Sequence, residues 1–140
     1  MDAKIVVKTR HGELTLEQLA EVQPGIARLM KEIGERFSIL YHAAKAGSWR
    51  LAQHELNVVI SMFKTGATLR PKYSKDFASF TETSLNPIDE SIKLKDWNRF
   101  KDAFTKAVNE TNMFHEKYEY GFIRYMVSKN PPENLDLTKD

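Results

Sequence analysis

The four histidines are the first residues to test for chemistry, because imidazole serves as a metal ligand and as a proton acceptor near neutral pH. They are scattered, at His11, His42, His54 and His115. The Glu-x-x-His pairs of di-iron bundles are absent, because the residues three positions before the histidines are Lys8, Ile39, Leu51 and Asn112. No His-x-x-x-His pair occurs either. We therefore expect surface histidines and no metal site, a site assembled from distant segments being the alternative.

Covalent and acid–base catalysis find little support in the residue types. The chain has no cysteine, which excludes disulfides, thiol catalysis, Cys-based zinc and iron–sulfur sites, and thioether attachment of haem. It has no Gly-x-Ser-x-Gly elbow and no glycine-rich phosphate loop. Glu55 and Glu110 would face each other in one arrangement of helices, but solvated positions on helix edges are the simpler interpretation. We expect no enzyme.

The charge balance argues against nucleic-acid and membrane partners. Lys plus Arg is 21 and Asp plus Glu is 19, a net charge of +2 with interleaved signs. A short basic stretch around Tyr73 could touch an anionic ligand, but Asp76 lies beside it and a solvated loop is the simpler interpretation: Lys64, Arg70, Lys72 and Lys75. The first apolar run, residues 5–7, is far shorter than a signal or membrane segment. A soluble, cytoplasmic protein is expected.

Amphipathic helices must position any site in this chain. The clearest has apolar residues at spacings of three and four: Trp97, Phe100, Phe104, Ala107, Thr111, Phe114 and Tyr118. It is predicted from Asp96, its cap, to about Tyr118, with Gly121 closing it. A second helix is predicted with Pro24 in its first turn and with Gly47 at its end.

The remaining elements are predicted from caps and breakers. Thr15 and Gln18 form a capping box that opens a short helix through Val22. The third helix is capped by Ser48, runs from Trp49 to about Thr65, and is stopped by Gly66. The fourth starts near Pro71 or Lys72, reaches Lys95, and is kinked or broken at Asn86-Pro87. One short strand is possible, from Lys4 to Lys8.

These elements predict an all-α fold: an antiparallel four-helix bundle with a short extra N-terminal helix. The expected organisation is a polar N-terminal lead-in over 1–14, a helical bundle domain over 15–126 and a Pro-containing polar tail over 127–140. The predicted inner faces carry seven of the eight phenylalanines: Phe37, Phe63, Phe77, Phe80, Phe100, Phe104 and Phe114. A plain core is the simpler interpretation, and a ligand cavity between helices is the functional one.

Two stretches carry a resemblance to a known family. Residues 46–56, Ala-Gly-Ser-Trp-Arg-Leu-Ala-Gln-His-Glu-Leu, resemble the Ala-Gly-Asn-Trp-x-Leu-Ala-x-x-x-Leu segment of small four-helix-bundle c-type cytochrome-like proteins, similar to cytochrome c′. That family has Cys-x-x-Cys-His on its last helix, then an aromatic-Gly-Phe element and a Pro-rich segment near an Asn-x-Asp. The corresponding segments here are Thr-Asn-Met-Phe-His over 111–115, Tyr-Gly-Phe over 120–122 and Pro-Pro-Glu-Asn-Leu-Asp over 131–136.

The resemblance implies the bundle fold but not the activity. Thr111 and Phe114 stand where the two haem-binding cysteines would be, so covalent haem attachment is impossible by that chemistry. His115 stands at the axial-ligand position. The resemblance therefore implies a branch of the fold that lacks the haem attachment motif.

We expect a non-enzymatic bundle that binds a small apolar or planar ligand, or a protein partner. The residues expected to line its pocket are Phe37, Tyr41, Phe63, Phe104, Thr111, Phe114 and His115, with polar contacts from His115 and Tyr41. An alternative for His115 is a helix-end imidazole that interacts with the C-terminal dipole. No cofactor is expected, but non-covalent haem bound through His115, for redox or gas sensing, is a second hypothesis. A structural module that forms a homodimer is a third.

Overall fold

The computed structural model describes residues 4–140, and this part of the chain is mostly helical, which confirms the all-α prediction. The elements in chain order are β1 (Val6–Thr9), β2 (Gly12–Thr15), α1 (Leu16–Val22), α2 (Ile26–Lys45), α3 (Trp49–Leu69), α4 (Ser74–Phe80), α5 (Asn86–Lys93) and α6 (Trp97–Lys117). A short 3₁₀ turn, Pro71–Tyr73, precedes α4, and a π-helical turn, Thr81–Leu85, joins α4 to α5. None of the helices within residues 4–140 has the length and hydropathy of a membrane span.

The N-terminal lead-in contains a β-hairpin where one short strand was expected. Its first three residues lie outside the described part of the chain. Strand β1 pairs antiparallel with β2, with Val6 opposite Thr15. The sequence did not predict β2, because its only apolar residue is Leu14 and no alternation arises. The capping box is confirmed: the Thr15 hydroxyl accepts from the Gln18 N–H at 3.1 Å, and the Thr15 N–H donates to the Gln18 side chain at 2.9 Å.

The boundary between α2 and α3 is set by Gly47, as predicted, and the role of Ser48 differs from the prediction. Gly47 has a φ of 80°, a conformation that only glycine adopts readily. Ser48 occupies the N-cap position of α3, but its hydroxyl makes no cap hydrogen bond there. It donates instead to the carbonyl of Lys139, because the C-terminal residues pack against this corner.

Gly66 lies inside α3 and does not stop it, so the predicted end at Thr65 was wrong. The helix continues to Leu69. A Cβ on Gly66 would lie 2.9 Å from Cε2 of Phe77 and 3.2 Å from Cδ2 of Leu29. The glycine therefore allows α2 and α4 to approach α3 closely, and this contact compensates for the low helix propensity of glycine.

The break expected at Asn86-Pro87 is observed as a π-helical turn immediately before it. The N–H of Asn86 donates to the carbonyl of Thr81, five residues earlier. Pro87 has no N–H, and it lies in the first turn of α5, where none is needed. The chain therefore keeps a helical path from Ser74 to Lys93, with one widened turn in the middle.

Helix α6 agrees with the prediction at its start and nearly at its end. The Asp96 carboxylate accepts from the N–H of Arg99 at 3.1 Å, which is the predicted cap. The helix ends at Lys117, with Tyr118 as its C-cap. Gly121 does not close it, contrary to the prediction. Glu119 takes the left-handed conformation instead, with a φ of 66°, and the N–H of Tyr120 donates to the carbonyl of His115 at 2.6 Å.

The helices pack on one another around one apolar core. Helix α2 packs along α3 and contacts α6, α3 also contacts α4 and α5, and α5 packs on α6. The largest completely buried apolar side chains come from α2, α3, the π-helical turn, α5 and α6: Leu40, Leu56, Leu85, Ile88, Phe100 and Phe104. Each such burial contributes roughly 1.5–3 kcal/mol, so packing provides most of the stability of the helices.

The residues after α6 have no regular secondary structure but fold back over the helices. The His42 ring, expected at the surface, is buried and bonds through Nε2 to the carbonyl of Ser128 at 2.9 Å. The N–H of Arg50 donates to the side chain of Asp140 at 2.9 Å, and Val127 and Leu137 pack against the core. The tail that was predicted to be polar therefore also packs two apolar side chains against the core.

Candidate functional site

A cavity of about 770 Å³ lies between the first half of α2, α4, the last turns of α6 and the chain that follows α6. Its lining is mostly apolar and aromatic. The residues that line the cavity include Ile26, Met30, Lys31, Ile33, Gly34, Glu35, Phe37, Phe63, Tyr73, Asp76, Phe77, Phe80, Thr111, Phe114, His115, Tyr118, Tyr120, Ile123, Tyr125, Met126 and Ser128. This size lies within the ~300–1,000 Å³ that small-molecule sites occupy.

Five of the seven residues predicted to line a pocket border this cavity: Phe37, Phe63, Thr111, Phe114 and His115. They come from three helices, and the helical repeat of three and four brings them to one face of each. On one side of the cavity, aromatic rings in contact with one another form a continuous wall. The Phe63 ring centroid lies 5.3 Å from that of Phe77 and 5.2 Å from that of Phe80, and Phe80 lies edge-on to Phe114 at 6.2 Å.

Tyr41 and Phe104 are not brought to the cavity. They lie in the core behind Phe37, whose ring centroid is 4.9 Å from that of Phe104. The Tyr41 ring packs at 5.2 Å from Phe104 and at 5.5 Å from Trp97. The polar contact expected from Tyr41 is therefore not available to the cavity. Tyr41 lies one turn after Phe37 on α2 and Phe104 lies two turns before Thr111 on α6, and neither lines the cavity.

Thr111 and Phe114 stand where the resemblance would require cysteines. The Thr111 hydroxyl donates to the carbonyl of Ala107 at 3.0 Å, within α6, so it is already satisfied. Phe114 is half-buried and packs on the core beside Phe80. The phenylalanine occupies part of the space beside His115, but about 770 Å³ remains open next to it.

His115 has a defined hydrogen bond in the last turn of α6. Its Nδ1 lies 2.7 Å from the carbonyl oxygen of Ile123. A carbonyl only accepts, so Nδ1 carries a proton and donates it. In the neutral ring, Nε2 then holds a lone pair, which is the arrangement that metal-binding histidines use. Within residues 4–140, no group of three His, Asp or Glu side chains is close enough together to hold a metal ion.

Residues 119–128, which we call the covering segment, form one wall of the cavity and were not predicted to do so. Asn112 on α6 anchors them: its side chain donates to the carbonyl of Tyr125 at 3.0 Å and accepts from the N–H of Tyr125 at 2.7 Å. Local sequence patterns do not reveal such a pairing across 13 residues. The sequence predicted only that Phe122, Ile123 and Tyr125 cover something apolar. Ile123 and Tyr125 line the cavity, whereas Phe122 is 81% exposed.

Tyr125 closes the covering segment onto α2. Its hydroxyl donates to the carbonyl of Gly34. A Cβ on Gly34 would lie 3.1 Å from Cε2 of the ring, so the glycine lets the ring approach the helix closely. Burial raises the pKa of the Tyr125 phenol to about 12, because the charged form is poorly solvated there.

An acidic and aromatic group lies at the α4 side of the cavity and was also missed. The Asp76 carboxylate accepts from the hydroxyl of Tyr118 and, at 2.9 Å, from Nζ of Lys117. These two hydrogen bonds, that from Tyr118 first, lower the pKa of Asp76. The sequence had suggested Asp76 only as a countercharge within a basic stretch.

The carboxylate pair considered for catalysis does not form an acid–base site. Glu55 is buried, with only 5% of the residue exposed, and its carboxylate accepts from Nη1 of Arg36 at 3.0 Å. The expected solvated position of Glu55 was therefore wrong. Glu110 is half-buried on α6. Arg36 occupies the hydrogen-bonding position beside Glu55 that a second carboxyl group would need.

Comparison of the chain with protein-family models, with curated proteins and with solved structures finds no match. The geometry of the cavity is therefore the basis for the functional argument.

Proposed function

We propose that this protein binds a small, mostly apolar ligand in the cavity between α2, α4 and α6, and that it is not an enzyme. The observation that carries this proposal is the cavity itself, about 770 Å³ with a continuous wall of phenylalanines and few polar groups. Such a space costs stability when it is left without contacts. A ligand that fills it would recover those contacts.

The proposal includes the arrangement of the helices. We propose that α2, α3, the α4–α5 pair and α6 form an antiparallel four-helix bundle, as the resemblance to cytochrome c′-like proteins implies. The neighbour relations support it, because α2 contacts α3 and α6, and α3 and α6 both contact α5. The cavity would then lie at one end of the bundle, a common place for bundle sites.

The test is binding of Nile red, a neutral apolar dye whose fluorescence rises in apolar sites. We expect saturable binding that Met30→Trp weakens, because Met30 lines the cavity and the larger indole would occupy part of it. Met113→Trp is the control, because Met113 is exposed and outside the lining. Equal dye binding by both variants, with unchanged melting temperatures, would refute the proposal.

Non-covalent haem is the second candidate ligand, and the hydrogen bond of His115 favours it. The Nδ1–H group is held by the carbonyl of Ile123, which leaves Nε2 with its lone pair. One imidazole beside an apolar pocket is sufficient for haem in principle. Titration with hemin should give a Soret shift that His115→Ala removes and His54→Ala, at an exposed histidine, retains. No shift, or a shift that both variants retain, contradicts haem binding.

A homodimer is the remaining proposal. It is supported by the apolar side chains exposed beside the cavity, with Phe122 81% and Met126 67% exposed. Exposed apolar groups of this size commonly mark contact surfaces.

A further inference from the structure

The α4 side of the cavity combines one carboxylate with aromatic rings. Asp76 lies in the lining together with Tyr73, Phe77 and Tyr118. The Tyr73 ring centroid is 4.8 Å from that of Tyr118, with the planes nearly perpendicular, and 5.7 Å from that of Phe77. A carboxylate beside the faces and edges of aromatic rings attracts ammonium groups, through charge and through the negative ring faces.

Two lysines of the chain already place their ammonium groups beside this carboxylate or these rings. Nζ of Lys117 lies 2.9 Å from the Asp76 carboxylate and 5.4 Å from the Tyr118 ring centroid. Nζ of Lys72 lies 4.9 Å from the Tyr73 ring centroid. The Lys117 side chain is 58% exposed. The Asp76 side chain is only 20% exposed, but the lysine is mostly in solvent, so Lys117 can return to water when another ammonium group takes its place at Asp76.

Among the side chains that line the cavity, the ionised ones are Lys31, Glu35 and Asp76, so carboxylates outnumber ammonium groups there. Lys117 and Lys72 lie outside this lining, beside Asp76 and Tyr73 respectively. The hydroxyl of Tyr118 and the ammonium of Lys117 keep the pKa of Asp76 below its ordinary value, which holds it ionised near neutral pH. When Lys117 is displaced from Asp76, the free carboxylate attracts an ammonium head group and repels a carboxylate head group.

We propose that the ligand is a cationic amphiphile, with its apolar body among the phenylalanines and its ammonium group at Asp76 in place of Lys117. This inference rests on the proposed ligand-binding function and specifies the chemical class of the ligand. An alkyl chain fits the apolar lining, and the head group gains an ion pair together with the aromatic contacts of Tyr73 and Tyr118.

The first measurement compares three ligands that share one alkyl chain. Dodecylamine, dodecanol and dodecanoate, each below its aggregation limit, are titrated against Nile red bound to the full chain. We expect the amine to compete about tenfold better than the alcohol, with dodecanoate the weakest. Dye binding with equal competition by amine and alcohol overturns the inference but leaves the proposed function intact. No binding of the dye or of any of the three ligands contradicts the proposed function itself.

Two variants give opposite expected effects. Asp76→Asn should weaken amine competition about tenfold and leave the alcohol nearly unchanged. Lys117→Gln removes the competing ammonium group and should strengthen amine competition. Dodecanol serves as the measure of an intact cavity in both variants. Amine competition that is weaker in Lys117→Gln and stronger in Asp76→Asn is the reverse pattern, and that result refutes the proposal.

Discussion

The hydroxyl of Tyr125 provides a sensitive test of how the covering segment is held on α2. Tyr125→Phe removes one hydrogen bond to the carbonyl of Gly34 and keeps the ring. At neutral pH we expect a loss of about 1 kcal/mol of unfolding free energy, the usual net value of such a bond. The ring still packs on Gly34, so the fold is retained.

The same hydroxyl should make stability depend on pH in the alkaline range. In the unfolded chain the phenol ionises near its ordinary pKa of 10.0, and in the folded chain near 12. Between these values the unfolded state has lost the proton and the folded state keeps it, so stability falls as pH rises. At ~1.4 kcal/mol per tenfold change in ionisation constant, the limit is ~2.7 kcal/mol. Since the side chain is only half-buried, we expect about 1–2 kcal/mol.

Urea unfolding followed by circular dichroism measures both effects. The free energies of the wild type and of Tyr125→Phe are compared at pH values from neutral to about 12. The advantage of the wild type should shrink through the alkaline range and disappear or reverse by its upper end. Other titrating groups are common to both proteins and cancel in the difference.

Tyr120→Phe is the matched control, because Tyr120 also lines the cavity but is exposed. It should follow the wild type at every pH. A gap between wild type and Tyr125→Phe that stays constant up to about pH 12 would show that the Tyr125 phenol is not desolvated. The placement of the covering segment on α2 would then be refuted.

Three further variants test the packing and the assembly. Gly66→Ala should lower stability by about 1–3 kcal/mol in thermal melts, because its Cβ would lie 2.9 Å from Cε2 of Phe77. Arg36→Met should cost about 2 kcal/mol in urea unfolding, because it leaves the buried Glu55 carboxylate without its partner. Phe122→Glu should shift the sedimentation coefficient from that of a dimer to that of a monomer.

Controls and contrary outcomes are available for each. Gly25→Ala adds a Cβ with no atom within 4 Å of it, at the N-cap of α2, and should cost only the loss of a favourable N-cap residue, about 1 kcal/mol or less. Lys93→Met removes an exposed lysine from its ion pair with Asp89 and should cost much less than Arg36→Met. If it costs as much as Arg36→Met, burial of Glu55 is not the cause. A wild type that sediments as a monomer at high concentration contradicts the dimer.

Local rules predicted the helices well, because each depends on residues close in sequence. The periodicity after Asp96, the capping box at Thr15 and the left-handed Gly47 led to element ends within a few residues. Gly66 misled the prediction, because a glycine that ends a helix and a glycine that allows a close approach look the same in the sequence. Only the position of Phe77 on a neighbouring helix distinguishes them.

The sequence predicted only some of the residues that line the cavity, because the others depend on contacts between distant parts of the chain. Helical periodicity brought Phe37 and Phe104 to inner faces, but periodicity does not say where two inner faces separate. That separation depends on the covering segment, and its contacts join Tyr125 to Gly34, 91 residues away. The role of Asp76 was missed because its partner Tyr118 lies 42 residues further along the chain.

The anchoring of the covering segment has a consequence for engineering. Asn112, His115 and His42 all bind its main chain, at Tyr125, Ile123 and Ser128 respectively. Main-chain atoms are the same whatever side chain a residue carries. The side chains of Ile123 and Met126, both in the cavity wall, can therefore be randomised in a library while the attachment is retained. Ligand selectivity becomes adjustable from one short stretch, with the helices left as a constant scaffold.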